Sequence, residues 1–101
     1  MAVSDEKTAP RVVQRMSPTD NVATALRQLE PGMRVTVGGV AVTVVSQIPF
    51  GHKIALSAIA AGSPVLKYGE AIGLARDGIA PGEHVHTHNV DSQRGRGDLQ
   101  Q

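Results

Sequence analysis

The stretch MRVTVGGVAVTVV, Met33 to Val45, decides the fold. Val35 and Val37 precede the pair Gly38-Gly39, and Val40, Val42 and Val44 follow it. β-Branched side chains suit a pleated, half-buried surface. A Gly-Gly pair supplies the left-handed backbone positions of a tight hairpin turn. The pattern predicts two antiparallel strands joined at Gly38-Gly39.

Outward from this hairpin the chain keeps reading as β. RVVQRM, Arg11 to Met16, is a candidate strand. NVATALRQL, Asn21 to Leu29, supports two readings: Val22, Ala25, Leu26 and Leu29 form a helical stripe, while Val22, Thr24 and Leu26 alternate as in a strand. Helix propensity alone favours the stripe. Three short segments repeat one pattern, LEPGMRV at 29–35, IAAGSPV at 59–65 and IAPGEHV at 79–85. Each is an aliphatic residue, two spacers, glycine, two residues and valine, the signature of a tight turn feeding a strand. Their spacing is uneven, so they are corners of one compact β domain and not a regular solenoid. After Ile48, Gly and Pro interrupt every longer pattern, which excludes long helices; ALSAIAAG, Ala55 to Gly62, has room for one helical turn at most. The fold class expected is all-β.

The composition narrows the function. A chain of 101 residues is one domain with a modest core, and without cysteine it has no disulfide to reinforce it. Metal or a partner chain is the remaining reinforcement. A net charge of +1 gives no electrostatic footprint for nucleic acid, and Phe50 and Tyr68 alone cannot form a base-stacking platform. The first ten residues are acidic and polar, unlike a signal peptide, and no apolar run is long enough to span a membrane. A cytoplasmic protein is expected. Residues 1–11 and 91–101 read as disordered arms around a domain at 12–90. The tripeptide Arg96-Gly97-Asp98 in the second arm matches an integrin ligand by coincidence.

Three stretches carry chemistry. In EHVHTHNV the histidines 84, 86 and 88 alternate, so an extended strand would present them on one face, neighbours roughly 6.5–7 Å apart. Two such rings can converge on a divalent ion, and three need a bend; the plain alternative is an exposed polar edge. In IPFGHKIAL, Pro49 and Gly51 fix the backbone around Phe50, and His52 with Lys53 suits an anionic ligand. The plain alternative there is a surface loop with Phe50 plugging the core. In VLKYGEAIG the sole tyrosine, Tyr68, lies between Lys67 and Glu70 beside glycines; glycines at β corners explain much of that arrangement.

Taken in order, DNVATAL, IPFGHKIAL, the KYGE segment and HVHTHN resemble the SAF-type (antifreeze-like, β-clip) domain of the altronate/galactarate dehydratase family, from about Asp20 to Val90. The resemblance implies a β-clip of short strands and long bends, with NVATAL a strand against the helical stripe. It implies a stand-alone small subunit of a sugar-acid dehydratase, its site completed by a large catalytic subunit, with divalent iron or manganese in the assembled enzyme. Assembly with further copies of itself is left open. Carried onto this chain, it makes His52, His86 and His88 the candidate proton-transfer residues. Lys53, Lys67, Tyr68 and Asn89 become the candidate substrate contacts, and His84 and His86 the candidate metal ligands. The small subunit of sulfolactate sulfo-lyase shares the GHKIAL, KYGE and H-x-HN features, and DNVATAL tips the balance towards the altronate side. A third reading, from a different class, is a non-catalytic SAF module that binds a carbohydrate or a partner protein.

Overall fold

The computed structural model describes residues 12–92. Those residues form short strands and no helix: β1 (Val13–Gln14), β2 (Val22–Ala25), β3 (Arg34–Val37), β4 (Val40–Thr43), β5 (Lys53–Ala55), β6 (Pro64–Lys67), β7 (Glu70–Ala75), β8 (His84–Val85) and β9 (Val90–Ser92). All pairings are antiparallel. One sheet has the order β1-β2-β5-β8, a second is the hairpin β3-β4, and a third has the order β6-β7-β9. Among the described residues no helix is long and apolar enough to cross a membrane.

The predicted hairpin is present, with Val35 opposite Val42 and Val37 opposite Val40. The helical stripe of NVATALRQL is not: Val22–Ala25 is β2, as the family resemblance implied. The reason is tertiary. β2 lies between β1 and β5 and buries both faces, Ala23 and Ala25 in one apolar cluster and Val22 in another. A helical stripe would bury one side only, so packing overrides propensity. ALSAIAAG makes no helical turn either; its Ile59 bridges Ile79.

The three expected corners are joined by a fourth. Glu30–Met33, Pro49–His52, Ala60–Ser63 and Ala80–Glu83 each close with a backbone bond from the fourth residue to the first, at 3.1, 3.1, 2.9 and 3.1 Å. Each has glycine at its third position, with φ of +92°, +86°, +85° and +88°, as a type II turn requires. The sequence pattern hid the second corner because Ile54 stands where the others have valine.

These corners expose an internal duplication. Leu29 exchanges both backbone bonds with Ile48, and Ile59 does the same with Ile79. Gly32 and Gly62 donate to Val44 and Ala75, and Gly51 and Gly82 donate to Ala25 and Ala55. Residues 25–54 and 55–85 are thus two versions of one unit, a corner, a hairpin and a second corner. Each surrounds its own apolar cluster, the first about Leu29, Val35 and Ile48, the second about Ile59, Val65 and Ile79. The buried members of both are aliphatic, with Met33 packed against the first. Phe50 is 70% exposed at the second position of its turn, so it does not plug the core; Ile48 and Ile54, fully buried, already close it from below. β9 runs two residues past the boundary expected at Val90. The rest of both expected arms, with Arg96-Gly97-Asp98, lies outside the described residues.

Candidate functional site

The histidines meet where the two units join. β5 pairs with β8, Ile54 opposite His84 and Lys53 opposite Val85, which brings His52 across from His86. His52 ends the corner at Gly51; its N–H donates to the Pro49 carbonyl and its carbonyl accepts the Ala25 N–H. Its backbone is therefore fixed on both sides. β8 stops at Val85, and the chain bends. Asn89 makes that bend: its N–H donates to the His86 carbonyl at 3.1 Å, its side-chain oxygen accepts the His86 N–H at 3.0 Å, and its amide donates to the His84 carbonyl at 2.9 Å.

The bend gathers the rings. His52 Nδ1 and His84 Nε2 are 2.8 Å apart, a hydrogen bond in which one ring donates and the other accepts. His52 stacks on His86 with centroids 3.7 Å apart, and on His84 at 5.0 Å. His88 stands 4.9 Å from His84, tilted by 39°. His52, His84 and His86 each offer a nitrogen within 4.8 Å of the others. His86 Nδ1 is buried without a partner. Partial burial, then the neighbouring His88, His52, His86 and Lys53, pull His84 down to about 4. The same forces, loss of water first and then His52, Lys53 and His88, lower His86. Imidazoles kept neutral, as burial keeps His84 and His86, are what a divalent transition metal binds. The donor set fits such an ion, with His52 joining the expected His84 and His86.

Beside the rings is a cavity of about 190 Å³ lined by Lys53, Ile72, His86, Thr87 and Val90. Among the described residues no carboxylate lines it. Lys53 is half-buried, its ammonium lowered by burial and then by Lys67. Lys67 Nζ lies 5.2 Å from the Tyr68 ring centre. Lys53 lines the cavity, and Lys67 ends β6 on the neighbouring hairpin.

Of the residues expected to act, His52, His84, His86 and Lys53 converge, with Lys67 and Tyr68 on the adjoining hairpin. His88 stands apart from the three-nitrogen group. Asn89, expected to contact substrate, has its amide engaged by His84 and His86 and shapes the bend. Three residues were not anticipated. Asp20 is buried, Thr24 has a buried hydroxyl without a partner, and Ile72 lines the cavity. Asp20-Asn21 before a strand was a visible turn signal; nothing in the sequence marked the other two.

The family described as "Altronate/galactarate dehydratase SAF domain" matches residues 11–93. The chain is 49% identical over 71 residues to altronate dehydratase of Escherichia coli (strain K12), covering 70% of this chain and 14% of that protein. It is 46% identical over 71 residues to altronate dehydratase of Bacillus subtilis (strain 168), with the same coverage. It is 48% identical over 52 residues to (2R)-sulfolactate sulfo-lyase subunit alpha of Paracoccus pantotrophus, covering 52% of this chain and 78% of that protein. The chain therefore spans about one seventh of the altronate dehydratases and most of the sulfo-lyase subunit.

Proposed function

The chain belongs to the altronate/galactarate dehydratase SAF-domain family, and from that premise we propose that it is the small subunit of a sugar-acid dehydratase. In this reading a large catalytic subunit completes the site, and the reaction is β-elimination of water from an altronate-type aldonic acid in the cytoplasm. The observation that carries it is the convergence of His52, His84, His86 and Lys53 beside a cavity that no carboxylate of the described residues lines.

The chemistry uses these groups in order. Lys53 and Lys67 hold the substrate carboxylate. His88, which stands outside the three-nitrogen group, takes the proton from the carbon next to that carboxylate. The released electron pair forms the double bond as the bond from the β-carbon to its hydroxyl breaks, and a protonated imidazole delivers the proton that lets the hydroxyl leave as water. His52, held by its corner and bonded to His84, keeps the adjoining ring in place. His52, His84 and His86 would hold a divalent iron or manganese ion, which when bound supplies Lewis-acid stabilisation of the developing enediolate.

The second reading, sulfite elimination from sulfolactate, is favoured by the Paracoccus subunit, most of whose length this chain matches. Mixing the chain with a candidate large subunit and screening aldonic acids and sulfolactate separates the two. A 2-keto-3-deoxy acid identifies dehydration, and sulfite identifies desulfonation. The chain alone is expected to show no turnover, since a cavity of about 190 Å³ is small for a sugar acid.

A further inference from the structure

The chain's tyrosine occupies an unusual backbone. Tyr68 has φ of 59°, and it is the only non-glycine residue with positive φ among those described. In the matching turn of the first unit the same position is Gly38, φ 56°. A tyrosine there is strained where glycine is not, and its ring is 64% exposed, so packing does not explain it. Strain of this kind is kept where the surroundings impose it. What imposes it here is Asp20. Its carboxylate, 4% exposed, accepts the Tyr68 N–H at 2.9 Å, the Gly69 N–H at 2.8 Å and the Ser17 N–H at 3.0 Å. Asn21 continues the seam, accepting the Leu66 N–H at 2.7 Å and donating to the Pro64 carbonyl at 3.1 Å. Asn21 also leads into β2, whose Thr24 pairs with Lys53. One short segment thus ties the Lys67–Tyr68 turn to the sheet that carries Lys53 and the histidines.

We propose that Asp20 is a positioning residue for the anion-binding side of the site: by holding Tyr68 in the left-handed backbone conformation it fixes the turn that carries Lys67 and Tyr68 relative to the sheet that carries Lys53. The substrate class rests on the sugar-acid reading above; the positioning does not.

The test uses the whole chain. Tyr68 is the single tyrosine and there is no tryptophan, so intrinsic fluorescence reports this turn alone. D-altronate is titrated against wild type, Asp20→Asn, Asp20→Ala and Asp20→Asn/Tyr68→Gly, with D-altritol as the uncharged control; binding is read by calorimetry where the tyrosine is absent. Zn²⁺ binding to the imidazoles is measured on each. A short amine-reactive cross-linker between Lys53 and Lys67 reports their separation, Lys7 being the only other lysine. The expected result is at least a tenfold loss of altronate affinity in the Asp20 variants, Zn²⁺ affinity within twofold of wild type, and less Lys53–Lys67 cross-link. Tyr68→Gly in the Asp20→Asn background is expected to restore the cross-link, since glycine takes the turn without a strap. Unchanged altronate affinity and cross-linking in folded Asp20→Asn would overturn the proposal. If the wild-type chain alone ignores altronate, as half of a site can, the sugar-acid reading is left to the assembled enzyme and the cross-link decides the positioning: lost in Asp20→Asn it stands, equal to wild type it falls.

Discussion

The hairpins β3–β4 and β6–β7 are the same device in the two units, and they differ at each point that bears on the site. The first is regular from Arg34–Thr43 to Val37–Val40, and it turns on Gly38-Gly39. The second shifts register between Val65 and Leu66, leaving Ile72 as an extra residue, and it turns on Tyr68-Gly69. It is also bound to Asp20 and Asn21 and has β9 along its edge. Ile72, the bulge residue, lines the cavity, and so does Val90 of β9. The duplicated scaffold carries the two apolar clusters, and the departures from the duplication line the cavity. A bulge that re-aims a side chain beside a functional cavity is a general use of that device.

The comparison is most easily broken at the corners. Gly82 and Gly32 are equivalent in turn geometry but not in surroundings. A Cβ at Gly82 would land on the Thr43 carbonyl oxygen, while a Cβ at Gly32 meets nothing within 4 Å. Gly82→Ala is therefore expected to destabilise the fold by about 3 kcal/mol or more, and Gly32→Ala by about 1–2 kcal/mol of backbone strain alone. Urea denaturation midpoints of the two variants check this; equal losses would show that the close approach of β4 to the last corner contributes nothing.

Tyr68→Gly sharpens the contrast between the hairpins. Relief of left-handed strain is expected to offset glycine's extra backbone entropy in the unfolded chain and leave the domain more stable by up to about 1 kcal/mol. Turnover in the assembled enzyme is expected to fall. Gly38→Ala, in the plain hairpin, is expected to do the opposite, losing about 1 kcal/mol with turnover unchanged. A Tyr68→Gly enzyme as active as wild type would make the strained tyrosine an accident of sequence.

The smallest expected effect is a pH slope. His84 is lowered in the fold to about 4 from the ordinary 6.5, chiefly by burial and then by the neighbouring His88, His52, His86 and Lys53. Between those values the unfolded chain binds more protons than the folded one, so stability is full above about 6.5 and declines as pH falls towards about 4. Urea midpoints of the metal-free protein measured from pH 7.5 to 4 are expected to fall, and His84→Gln to flatten the decline. An identical slope in His84→Gln would place its origin elsewhere.

Much of this fold was legible in the sequence because its signals are local. The Gly-Gly hairpin and three corners follow from glycine's backbone freedom and β-branched runs within a few residues. The fourth corner, which carries His52, was visible in IPFGHKI once isoleucine is allowed in the valine position. β2 was ambiguous because a few residues fit two periods, and only burial on both faces decides between them. The site was legible as residue types and not as geometry. His52 reaches His84 only through the β5–β8 pairing, and the bend that gathers His86 depends on both ends of the Asn89 amide. Asp20 reaches Tyr68 across 48 positions of sequence, and no local pattern announces such a contact.

The central claim is that the joined ends of the two units form half of a lyase site. Its most direct test is the rate of D-altronate dehydration by the chain assembled with a large catalytic subunit, compared among wild type, His52→Ala, His86→Ala and His88→Ala, with assembly measured alongside. The expected result is that all four assemble and that at least one variant loses about two orders of magnitude in turnover, the usual size of a lost proton-transfer group. Near wild-type turnover by all three assembled variants would contradict the claim and reduce these histidines to an edge of the fold.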